Sequence, residues 1–287
     1  MATTITAALA GLGTKTHIAI GAGTYNEKLS IGKSVTLIGD GAVTIGQGAG
    51  PNIEVTAGAV ALQNVTIDTA IGSGLAGVGV RCNGSGSEKL TIVESTISSN
   101  QGVGVLSSFC DVVLRRNTIR TNTGGGVSLA NGTFVVVNDV IFGNGGTAAS
   151  VGGLNLGTPS VGTLAAYNTI TGNIAQTGGT SGILCGGPMT LTNNIVWGNV
   201  IVGGGGQEQL GCTFTNSNVP NGSGTNISAD PLFVDTTMDN YSLKTTPTLS
   251  PCINTGTTAP TGGTVLDIKN NTRPMGTATD MGAYEVQ

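Results

Sequence analysis

Charged side chains are few, and a dense group of them lies between positions 81 and 120. Lys, Arg, Asp and Glu make up 9% of the 287 residues, yet Arg81, Glu94, Asp111, Arg115, Arg116 and Arg120 all fall in that stretch. A guanidinium presents a planar fork that matches a carboxylate. Arg115, Arg116 and Arg120 are therefore candidate binding residues for an acidic sugar. Acid–base chemistry on a polymer needs two or more acids or bases converging on one groove. The carboxylates available for that are Asp68, Glu94, Asp111 and Asp139, and the sequence assigns no catalytic residue among them. Two aromatics form a second candidate. Phe142 and Trp197 occupy the position after an inward apolar residue in their repeats, two repeats apart, with Arg120 in the same column. Flat, exposed aromatic faces stack on sugars; the opposing reading is that they cover a repeat edge.

Several other devices drop out. Gly32-Lys33-Ser34 resembles the tail of a phosphate-binding loop, but the required first glycine is Glu27. A nucleophilic triad would need the single His17, which sits in an apolar stretch near one end and reads as an edge or packing residue. The five cysteines (Cys82, Cys110, Cys185, Cys212, Cys252) follow no metal spacing, so no metal site and no cofactor is expected. Cys82 and Cys185 fall at inward strand positions and read as small core residues. A Cys185–Cys212 disulfide, about one repeat apart, stays open. A net charge of −4 does not support a nucleic-acid partner. No apolar run is long enough to span a bilayer. The first ten residues lack a basic region and a proper apolar core and so do not read as a signal peptide; either an export signal has been removed or the chain is cytosolic, and removal is the preferred expectation.

The elements that must position these residues are repeats. The segments ending in Asn100, Asn122, Asn144, Asn173 and Asn199 share one pattern, and these asparagines are 22, 22, 29 and 26 residues apart. Each repeat is a glycine-led apolar strand, a turn, a second apolar strand and an Asn-bearing turn. That period with strand-type alternation marks a solenoid. Forty-nine glycines suit its turns, and 38% apolar residues supply a continuous core. Equivalent residues of stacked rungs lie above one another, so Ser95, Asn117, Asp139, Asn168 and Asn194 are predicted to form a hydrogen-bonded ladder. For Asp139 a ladder role is preferred over catalysis. Glu94 and Arg116 sit at equivalent positions of adjacent rungs, and an ion pair is the plainer reading.

The predicted organisation is all-β: a single-stranded parallel β-helix with caps at both ends. Residues 1–33 hold the N-terminal cap and first strands, with 3–13 a short helix or an extended segment. Residues 34–228 hold eight rungs. From Ala229 the repeat stops, and 229–287 form a C-terminal cap laid along the last rungs.

In that cap the order ADPLFVD (229–235), DNYSLK (239–244), LSPCINTG (249–256), Arg273-Pro274 and DMGAYE (280–285) resembles the C-terminal region of bacterial choice-of-anchor Q domain proteins. The stretch GAGTYNEKL (21–29) followed by VTLIGDG (35–41) is similar to the opening of pectin-lyase-like β-helices. The resemblance implies a right-handed helix, in line with the general preference of parallel crossovers. It also implies an extracellular or cell-surface location, although no anchor follows Gln287. For lyases of that fold it implies an Arg or Lys base with Ca²⁺ held by acidic side chains, so Ca²⁺ enters only if this chain is a lyase. Three functions follow as expectations. The preferred one is a secreted or surface β-helix with a binding or structural role toward an extracellular polysaccharide or other polymer. The others are a polysaccharide-active lyase or hydrolase, and a purely architectural rod.

Overall fold

A computed structural model describes residues 2–46, 48–258 and 266–287. The expected cap 229–287 thus includes residues 259–265, which lie outside the described set.

The repeats wind into a parallel β-helix. Eight parallel strands, from Leu29–Ile31 through Val103–Ser108 to Gln207–Leu210, stack into one sheet. The rest of each coil forms two further flats, a longer one (as in Asp111–Arg115) and a short one (as in Thr118–Arg120). These belong to one 15-stranded sheet, because the long strand Val35–Gly46 pairs with Ala59–Gln63 at one end and Thr66–Asp68 at the other. Strand alternation sends every second side chain inward. Register then stacks like on like: Ile45, Ile67, Ile97, Ile119, Ile141, Ile170 and Val196 form one column. All seven are fully buried. At about 1.5–3 kcal/mol per buried aliphatic side chain, such columns are the main stabilising term.

Two corners bound the short flat, and each carries a ladder. At the first, the expected ladder forms. Ser95 N donates to Asn117 Oδ1 (3.0 Å), Asn117 N to Asp139 Oδ1 (2.7 Å), Asp139 N to Asn168 Oδ1 (3.0 Å) and Asn168 N to Asn194 Oδ1 (3.0 Å). At the second corner the closing asparagines, read from sequence only as turn residues, form another ladder. Nδ2 of Asn100, Asn122, Asn144 and Asn173 each donates to the next Oδ1, at 2.7–3.0 Å. Glu208 ends this run by accepting from Asn199. The leading glycines make room for it. A Cβ on Gly104 would lie 2.7 Å from Asn122 Nδ2 and 2.7 Å from Gly126 O.

Cysteines tie neighbouring coils. Cys185 pairs with Cys212, and Cys82 pairs with Cys110, 27 and 28 residues apart. Both separations equal about one coil. Cys82 and Cys185 are therefore bonded, not merely small core residues; Cys252 is free and buried.

The N-terminal cap is a helix, Ile5–Ala10, that lays Ile5 and Leu9 over the first coil. Glu27 accepts from Ile5 N (2.9 Å) and Thr6 N (2.8 Å) at its start, and Lys33 Nζ donates to Leu9 O at its end. Opposite charges thus meet the two ends of the helix dipole. His17 opens the edge strand His17–Tyr25, exposed, with Nδ1 2.8 Å from Thr16 Oγ1.

Candidate binding face

The outer side of the short flat is where most candidate residues lie, and it has two halves. Register aligns Gly46, Asp68, Ser98, Arg120, Phe142, Thr171 and Trp197 in one outward column. Beside it runs Thr44, Thr66, Thr96, Thr118, Val140, Thr169 and Ile195.

The C-terminal segment covers the second half. Val140, Phe142 and Ile195 are buried under Phe233, Tyr241, Leu243, Cys252, Ile253, Met281, Ala283 and Tyr284 in a second apolar core, with Trp197 half-buried against it. The Phe142 and Tyr241 rings lie 4.6 Å apart. Phe142 is 4% exposed. This corrects the expected sugar-stacking platform: Phe142 and Trp197 are packing residues, because the cap offers their apolar faces a dry partner.

Charged residues buried within the cap hold it shut. Arg273 Nη1 meets Glu285 Oε2 at 2.8 Å with both side chains almost completely buried, and its guanidinium lies 4.4 Å over the Tyr167 ring. Arg273 also donates to Asp280 O and Gly282 O, and Glu285 accepts from Met275 N and Asp280 N. Asp267 accepts from Glu285 N, and burial pushes the Asp280 carboxyl up to about 6. The seam to the helix runs along the first corner. Asn138 donates to Leu266 O, Tyr167 to Thr257 O, and Asn193 exchanges two bonds with Thr257. The motif residues Arg273, Asp280 and Glu285 were visible in sequence, but only as punctuation of a cap.

The first half lies outside that core: Asp68 and Arg120 are half-buried there, and Ser98 is buried between them. Ser98 Oγ donates to Asp68 Oδ1 (2.8 Å) and Thr69 Oγ1 to Asp68 Oδ2 (2.7 Å). At the border, Arg120 Nη1 reaches Asp239 Oδ2 of the cap at 3.4 Å, an exposed pair worth little by itself.

The three arginines do not form one site. Arg115 is half-buried on the longer flat, Arg116 stands at the corner and Arg120 lies past it on the short flat. Arg116 pairs with Glu94 at 2.8 Å, as expected, and its hydrogen bonds hold the Glu94 carboxyl below the usual range despite some burial. The four carboxylates likewise have separate partners: Asp111 accepts from Thr133 N, and Asp139 is fully buried in its ladder. Among the described residues, no three His, Cys, Asp or Glu side chains gather as a metal-binding group.

These coils, their register and their ladders define a parallel β-helix, and the sequence assigns its hand and kinship. The chain belongs to the right-handed β-helix family, whose "right handed beta helix region" matches residues 53–219. No curated protein sequence matches it. Among solved structures it is similar to pectate lyase Pel9A, at 14% identity and a TM-score of 0.46, over 99% of this chain and 91% of that one. It is also similar to the pectin methylesterase from Aspergillus niger, at 15% identity and a TM-score of 0.35, over 79% and 87%. Neither likeness is close enough to carry an argument about activity.

Proposed function

We propose that this protein is an extracellular or cell-surface β-helix that binds a glycan on the open half of its short flat. The observation that carries this reading is the division of that flat. Where the cap lies, outward residues are mainly apolar; beyond it they are the half-buried Thr66, Asp68, Thr96 and Thr118 and the buried Ser98, with Arg120 at the border. Hydroxyls, one carboxylate and one guanidinium on rigid strands suit hydroxyl-rich ligands, since each can donate or accept in a fixed direction. Two disulfides fit an oxidising compartment. Among the described residues no helix is long and apolar enough to cross a membrane. The choice-of-anchor Q resemblance of 229–285 supports a surface location. The separate partners of Asp68, Glu94, Asp111 and Asp139 favour binding over hydrolysis or elimination. No cofactor enters this reading.

A glycan array probed with the purified chain, with and without Ca²⁺, tests it. Binding that falls in Arg120→Ala but persists in Trp197→Phe supports the open half as the site. Unsaturated uronide product dependent on Arg116 would replace this reading with a lyase. Silence across the array would leave an architectural rod.

A further inference from the structure

The open half holds a column of threonines whose side chains take part in none of the contacts described above. Register stacks Thr24, Thr44, Thr66, Thr96 and Thr118 in a single outward column, one per coil. Thr24 is exposed and the other four are half-buried. Among the described residues none of the five hydroxyls hydrogen-bonds to another protein group. β-Propensity favours Thr here, but it favours Val, Ile and aromatics as much. The column itself shows what the hydroxyl is good for. It continues beneath the cap as Val140, Thr169 and Ile195, and there Ala283 N donates to Thr169 Oγ1 at 3.0 Å. A threonine at this position grips a chain laid across the face.

We propose that the threonine column is the track for a neutral, extended β-linked polysaccharide lying parallel to the rod axis, with one sugar per coil. This rests on the glycan-binding reading and specifies its ligand. Neighbouring strands are about 4.8 Å apart, and an extended β-1,4-linked pyranose chain advances by about one such step per sugar. Each threonine hydroxyl both donates and accepts, as sugar hydroxyls do. The adjoining methyl groups offer apolar contact to the ring C–H faces. Charge points to a neutral chain. The neighbouring column holds one acid, Asp68, and one base, Arg120, and Arg120 already faces Asp239. A polyuronate would set its carboxylates against Asp68 with little positive charge to oppose them.

The test is calorimetric titration of the full chain with cello-, xylo- and chito-oligosaccharides and with oligogalacturonate. The variant is T66V/T96V/T118V, which keeps β-branched residues in the strands while removing the hydroxyls. Thr91→Val, on the adjoining flat, is the control, and Thr96→Val alone serves if the triple variant melts early. Support is binding of a neutral series that tightens with chain length, weakened at least about tenfold by the triple change and unmoved by Thr91→Val. Neutral binding unaffected by the hydroxyl removal, or a preference for oligogalacturonate, overturns the track while leaving glycan binding standing. No binding of any saccharide overturns both.

Discussion

Asp139 is the residue whose chemistry departs most from its neighbours. It occupies an asparagine's place in a buried ladder. Asn117 Nδ2 donates to Asp139 Oδ1 (2.9 Å) and to Ile92 O (2.9 Å). Asn168 Nδ2 likewise donates to Asn194 Oδ1 and to Val136 O. Asp139 Oδ2 has no such proton to give when ionised, and it has no hydrogen-bond partner among the described residues. Burial pushes its carboxyl up to about 7. The folded state thus holds a proton that the unfolded chain, with a carboxyl near the ordinary value of about 4, releases. The stability linked to that proton is complete below about pH 4 and is lost as pH rises through about 7. Asp139→Asn is accordingly expected to raise the melting temperature, slightly in acid and most clearly above pH 8. Thermal melts across pH check it; a variant equally or less stable at high pH would mean that Asp139 is not held as an amide mimic. Gly104 makes the complementary case. Gly104→Ala is expected to cost about 1–3 kcal/mol by overpacking against Asn122 and Gly126, read as a lower urea midpoint. An unchanged midpoint would show that the coil spacing yields more readily than the ladder geometry implies.

At the scale of elements, each cap combines apolar contact with charged side chains that hydrogen-bond within it. Removing one member of a buried ion pair leaves the other charged and unpaired, at a cost of about 3–5 kcal/mol. Arg273→Met or Glu285→Gln is therefore expected to loosen the C-terminal segment before the coils. Hydrogen exchange should accelerate in 229–258 and 266–287 while the strand amides of Val103–Ser108 stay protected. Simultaneous loss of protection in both would mean that cap and helix unfold as one unit. Released, the cap would bare Phe142, Val140 and Ile195, so aggregation should accompany the change. At the other end, Glu27→Ala leaves Ile5 N and Thr6 N without their acceptor and should cost about 1 kcal/mol. Fraying of the Ile5–Ala10 helix, followed by exchange at Ala8 and Ala10, is the readout.

At the scale of the molecule, each disulfide closes a loop of about one coil. The chain-entropy relation gives roughly 3.6 kcal/mol for each such link. Reducing agent should therefore lower the melting temperature, and Cys82→Ser/Cys110→Ser should reproduce part of that loss without reductant. A melt insensitive to reduction would count against the oxidising compartment on which the extracellular reading leans. The solenoid was legible in sequence because stacking places each residue on its own counterpart. Identity at the coil period, as in Asn117, Asn168 and Asn194 or the inward isoleucines, is therefore a direct image of the fold. The same rule contained signals that sequence reasoning passed over: Cys82 and Cys110 are one coil apart, and so are successive closing asparagines. What the repeat could not contain is the seat of a segment that does not repeat. Phe142 and Tyr241 are far apart in sequence, and nothing in local alternation tells an outward aromatic meant for solvent from one meant for a cap. Local periodicity determined which side chains point out; only the long-range docking of 229–258 and 266–287 decided which of them meet water.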